Sequence, residues 1–252
     1  MLIKYILLTA IRDRLYIGLF IALIAAFGIS AILGSTSLVE ANQMSIVYIA
    51  GSSRMIFVIG MILFTCFYVR RSFDNKEVEF ILSKSISRHN FIFSYLIGFV
   101  LVSLLIFIPI TIALLLAKAN PIGLTFWLFS ILCEILIIVS FGVLSSLILK
   151  NVISSILATL SFYILARMMA FFVLTIDLPD SYADFNSVQR FLKSSLKYLS
   201  FIFPRLDLFA KSDWLIYGIN DYRGIIITTV QSLIYIPLMT FMSFFDFSKK
   251  QF

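Results

Sequence analysis

Metal- and redox-active side chains are scarce in this 252-residue sequence, which holds one histidine, His89, and two cysteines, Cys66 and Cys133. That inventory cannot build a His/Cys metal cluster, a disulfide framework or a haem-attachment motif, so no cofactor or metal is expected. The two cysteines read as small core hydrophobes. Charge is equally thin: Asp, Glu, Lys and Arg make up 13% of the residues, against about 25% in an ordinary soluble chain. Apolar residues account for 61% and mean hydropathy is +1.05. A water-soluble core would lack a polar coat, so a bilayer must serve as solvent. G-x-x-x-x-G-K-[ST], G-x-S-x-G and H-E-x-x-H patterns are missing, which argues against P-loop ATP hydrolysis, serine acyl transfer and zinc hydrolysis. The chain is expected to be no enzyme in its own right.

About 20 apolar residues cross the roughly 30 Å of hydrocarbon at 1.5 Å each. Six segments qualify: Leu15–Leu33, about Ser45–Val69, Phe91–Ala117, Ile122–Leu149, Val152–Ile176 and Gly224–Phe245. The uncharged part of the second, Met55–Val69, is too short alone, so that span must begin before Arg54. The expected fold is therefore all-α and integral to the membrane, one transmembrane domain over residues 1–252. The first segment follows a basic stretch but is too long for a signal peptide and lacks an Ala-x-Ala site, so it is read as a retained span.

An even number of spans puts both termini on one side. The side holding the N-terminus, the second-to-third loop, the fourth-to-fifth turn and the tail carries eleven basic and five acidic residues, against eight and seven on the other. Basic residues stay inside, which predicts cytoplasmic termini and a plasma membrane, in bacteria the inner membrane. The net charge of +7 then follows from topology and needs no nucleic-acid partner.

Three pieces lie outside the spans. Leu2, Ile3, Ile6, Leu7, Ala10 and Ile11 share one side of a helix over residues 1–14, which suits the cytoplasmic interface. Phe185, Val188, Phe191, Leu192, Leu196, Leu199 and Phe203 recur at helical spacing, predicting an amphipathic helix on the outer leaflet, a cap or a gate, ended by Pro204. Between the second and third spans Asp74 is expected to cap a short helix with Glu77 in its first turn and Val78, Ile81 and Leu82 on its apolar side.

Within the membrane, Gly18, Ala22, Ala26, Ser30 and Gly34 recur every four residues, a small-residue stripe that favours close helix contact, in the same subunit or across a dimer. Pro109 and Pro237 predict kinks. Ionisable residues at depth are expensive and usually paired. Glu134 lies 16 residues before Lys150, Arg167 lies 16 after Asn151, and Arg54 lies 16 before Arg70. All three are then about 24 Å from the cytoplasmic end. The tight turn between the fourth and fifth spans makes them antiparallel neighbours, so Glu134 is expected to pair with Arg167, with Arg54 as the alternative.

The charged pair Arg70–Arg71, the acidic segment after it and "ILSKSISRHNFIFSYLIG" (81–98) together resemble the ABC type-2 permease family, the membrane subunits of ATP-binding-cassette exporters. "LSFIFPRLDLF" (199–209), "DWLIYG" (213–218) and the terminal "FFDFSKKQF" (244–252) are similar to stretches of that family, notably of permeases encoded near multicopper-enzyme maturation genes. The resemblance implies six-helix subunits paired as a dimer, each resting on a separate ATPase subunit. It implies coupling through the helix after the second span, which makes Asp74, Glu77, Glu79 and Arg88 the coupling residues. It names no substrate. A subunit that transmits ATPase motion to an outer partner without passing a substrate is the alternative.

Overall fold

In lipid a continuous apolar run satisfies its backbone hydrogen bonds only as a helix or in a closed barrel, and the long uninterrupted runs here choose the helix. The computed structural model describes residues 2–12, 14–36, 41–83, 88–177, 203–219 and 222–249, with Ser195 and Tyr198. Its α-helices are α1 (Leu2–Arg12), α2 (Arg14–Thr36), α3 (Ala41–Asp74), α4 (Glu77–Ser83), α5 (Arg88–Leu116), α6 (Pro121–Ile148), α7 (Val152–Arg167), α8 (Met169–Asp177), α9 (Asp213–Tyr217) and α10 (Arg223–Lys249). A 3-10 turn occupies Leu206–Leu208, and no strand occurs among the described residues. The expected outer helix falls almost wholly outside the described residues.

Five helices, α2, α3, α5, α6 and α10, are long and apolar enough to cross a membrane. The chain is an all-helical, multi-pass membrane protein. The expected span Val152–Ile176 is interrupted: α7 has 16 residues and ends before Met168, where φ is −78° and ψ 0°. Sixteen residues rise about 24 Å, short of a hydrocarbon core. The break follows directly on Arg167, whose guanidinium is held by main-chain carbonyls, as described below. The second span starts at Ala41, ahead of Arg54 as required. α5 and α10 run through Pro109 and Pro237 without ending.

α6 is the hub, packed against α3, α5, α7, α9 and α10. Lipid tails are as apolar as leucine, so such contacts depend on close packing and polar links. Ser145 Oγ lies 2.9 Å from Thr159 Oγ1 across α6 and α7, and Cys66 Sγ of α3 lies 3.7 Å from the same hydroxyl. Cys66 and Cys133 are both buried and unpaired. The periphery is different: α2 and α10 turn Ile17, Ile21, Ile24, Leu233, Phe241 and Phe245 outward, the surface a bilayer expects.

Two glycines mark close approaches. Gly123 sits where any Cβ would collide with the Trp214 carbonyl, and the Asn120 N–H donates to the Leu215 carbonyl at 2.8 Å. Asn120 also caps α6, its Oδ1 accepting from the N–H groups of Ile122 and Gly123 at 3.1 Å each. A Cβ on Gly98 would fall 2.7 Å from Ile6 Cδ1. α1 therefore buries Ile6 and Ala10 against α5, rather than turning its whole apolar side to a membrane surface. The side chains of Leu2, Ile3 and Ile11 lie outside the description.

Candidate functional site: a buried charged layer and an external helix

Two arginines and a glutamate meet inside the bundle. The Arg54 Nη2 of α3 lies 2.7 Å from Oε1 and 2.6 Å from Oε2 of Glu134 on α6. Glu134 is wholly buried and Arg54 is 5% exposed, so neither reaches water or lipid phosphate by extending its side chain. The expected pairing of Glu134 with Arg167 does not form. Arg167 Nη1 instead donates to the Leu206 carbonyl at 2.5 Å and the Phe209 carbonyl at 3.5 Å. Equal distance from the membrane edge fixes height along a helix and leaves direction around the axis open. The Glu134 carboxylate projects toward α3, and α7 presents its arginine to another acceptor.

That acceptor is the segment 203–212. Arg54 also donates to the carbonyls of Ala210 and Leu206, both at 3.3 Å, so Leu206 serves both arginines. Ser130 Oγ of α6 accepts from the Ala210 N–H at 2.9 Å. Leu206 and Phe209 are fully buried and Ala210 nearly so. Irregular backbone at depth is tolerated where protein surrounds it, and here its carbonyls offset the second positive charge. Three formal charges sum to +1, and main-chain dipoles supply the rest. The arrangement can hold three elements rigidly, and among the described residues it contains no nucleophile with an activating base. The contribution of Leu206, Phe209 and Ala210 escaped the sequence reading because carbonyls carry no residue signature; Pro204, which breaks any helix before them, was the available signal.

At the other end, α4 is a short amphipathic helix fastened to α3. Val78 is buried, and Ser72 Oγ donates to Glu77 Oε2 at 3.2 Å. Glu79 and Phe80 face outward. Asp74 is not the cap of α4: α3 runs through it, and its carboxylate accepts from Arg70 at 3.1 Å. The turn is made by Asn75 and Lys76, the latter at φ 57°. Arg88 begins α5, its Nη1 donating to the carbonyls of Phe247 at 3.0 Å and Ser248 at 2.8 Å. It satisfies the end of α10, whose Phe247 ring in turn meets that of Phe73 on α3 at 6.2 Å. The leucine of the predicted stripe, Leu82, has no described side chain.

The small-residue stripe of α2 also divides. Ala26 and Ser30 are buried, Ala22 is half-buried, and Gly18 is exposed, with nothing within 4 Å of where a Cβ would stand. Steps of four residues advance 400°, so the stripe winds by about 40° each time. Its far end meets α3, and Gly18 has turned away. Gly34 belongs to α2, with its surroundings outside the description. No family model matches this chain, and no curated protein sequence matches it closely.

Proposed function

We propose that this chain is the transmembrane permease subunit of an ATP-driven ABC exporter, energised by a separate ATPase subunit and paired as a homodimer in a bacterial inner membrane. Both termini lie in the cytoplasm, and α7 with α8 makes a sixth, interrupted crossing. The observation that carries this reading is α4. It is a seven-residue helix between two membrane-length helices, anchored by Val78 and Glu77 while Glu79 and Phe80 point away from the bundle. A rigidly held knob on the end of α3 suits a docking ATPase, whose motion α3 would carry toward Arg54 and the buried layer. The sequence resemblance favours the same assignment, and the missing phosphate-binding loop requires a partner for energy.

The test is purification of the chain from native membranes, detection of a bound P-loop ATPase, and measurement of ATP hydrolysis in lipid nanodiscs. Glu79→Lys should release the ATPase or remove its stimulation while helical content stays unchanged. A bound ATPase indifferent to Glu79→Lys and to Glu77→Lys would sink the docking assignment.

A further inference from the structure

Where α1 gives way to α2, the structure opens a cleft of about 600 Å³ lined by Tyr5, Leu8, Thr9, Arg12, Arg14 and Arg71. A smaller cavity of about 220 Å³ continues from it past Tyr5, Thr9 and Arg71 to Ser72 and Glu77. Three arginines from three helices thus line one opening. Among the described residues none of them has a carboxylate within ion-pair distance; the neighbouring Arg70 is the one that takes Asp74. Glu77 stands at the far end of the smaller cavity and already accepts from Ser72. Asp13 lies between Arg12 and Arg14 in sequence and outside the described residues. Such a concentration of planar donors matches phosphate oxygens, which guanidinium forks bind two at a time.

We propose that this cleft binds the phosphate headgroup of an anionic phospholipid. A lipid is favoured over free phosphate by what surrounds the arginines. Tyr5, Leu8, Leu15 and Ile17 are 36 to 52% exposed beside them, and α2 continues outward as Ile21 and Ile24. A headgroup on Arg12, Arg14 and Arg71 would lay its acyl chains along that apolar side. Basic pockets at a membrane face hold anionic headgroups in this way. Because the cleft joins α1, α2 and the α4 end of α3, a bound lipid would fasten the position of α4. The site needs only a membrane surface at this end of the bundle, so it stands or falls independently of the exporter reading.

The full chain in detergent would be titrated with phosphatidylglycerol, phosphatidylcholine and inorganic phosphate, with bound lipid counted by native mass spectrometry. Saturable binding of phosphatidylglycerol, weaker phosphatidylcholine binding and no displacement by phosphate are expected. R12Q, R14Q and R71Q should each weaken phosphatidylglycerol binding roughly five-fold, while K118Q, which removes a charge outside the cleft, should leave it unchanged. Displacement by inorganic phosphate would overturn the lipid assignment, and equal loss in K118Q would reduce the effect to net charge. Should the arginine variants fail to fold, wild-type binding that is insensitive to rising salt overturns the proposal, because a phosphate held by exposed guanidiniums must weaken with ionic strength.

Discussion

Arg54 and Arg167, on different helices, donate to the same carbonyl oxygen, that of Leu206. Only Arg54 has a carboxylate partner, Glu134 at 2.7 Å. The two arginines are therefore unequal: one belongs to an ion pair, the other to a cap on irregular backbone.

Breaking the pair should cost more than removing the cap. Arg54→Gln or Glu134→Gln leaves a buried charge uncompensated, at a cost of about 3 to 5 kcal/mol. Arg167→Gln retains amide donors for the carbonyls and should cost less. Thermal unfolding in detergent reads the difference. The exchange Arg54→Glu with Glu134→Arg should recover part of the loss, whereas Arg167→Glu with Glu134→Arg should not; recovery by the second exchange alone would contradict the observed geometry.

Gly123→Ala and Gly18→Ala should have opposite signs. The first drives a methyl into the Trp214 carbonyl and should lower the unfolding midpoint by separating α6 from α9. The second meets open space and replaces a helix-interior glycine, a change worth about 0.5 to 1 kcal/mol of stability. A loss at Gly18 comparable to that at Gly123 would mean that another chain covers Gly18 in the membrane.

Ala26→Leu should disturb the α2–α3 contact, since Ala26 is buried and adding an isobutyl group overpacks it by about 1 to 3 kcal/mol. Gly18→Leu on the same helix should be tolerated by the isolated subunit. Cysteines at 18 and 22 report on a dimer: cross-linking between subunits would assign this end of the stripe to the partner.

Arg88→Gln should loosen the chain end. Two main-chain acceptors of α10, Phe247 and Ser248, lose a charged donor, worth about 1.5 to 3 kcal/mol where the bond is to an ionised group. Proteolysis at residues 247–252 should accelerate with the remaining bundle intact. Arg88→Lys, which keeps one charged donor, should fall between the two; cleavage unchanged in Arg88→Gln would remove the anchoring role.

Hydropathy and length determined by themselves that the chain is helical and crosses a membrane, because each helix satisfies its own backbone and its rise is a local constant. The same constant placed Arg54, Glu134 and Arg167 at one level before any packing was known. What only the tertiary structure decided is direction around each helix axis and the insertion of irregular chain. Glu134 selects Arg54 because α6 turns that face to α3, and the α2 stripe fails to form one seam because four-residue steps wind past it. Asp74 stays in α3, where its carboxylate accepts from Arg70 one turn back. The segment 203–212 enters the bundle because the buried guanidinium of Arg54 and the half-buried one of Arg167 require oxygen acceptors there, and main-chain carbonyls, which every sequence supplies equally, are revealed as ligands only when the chain has folded around them.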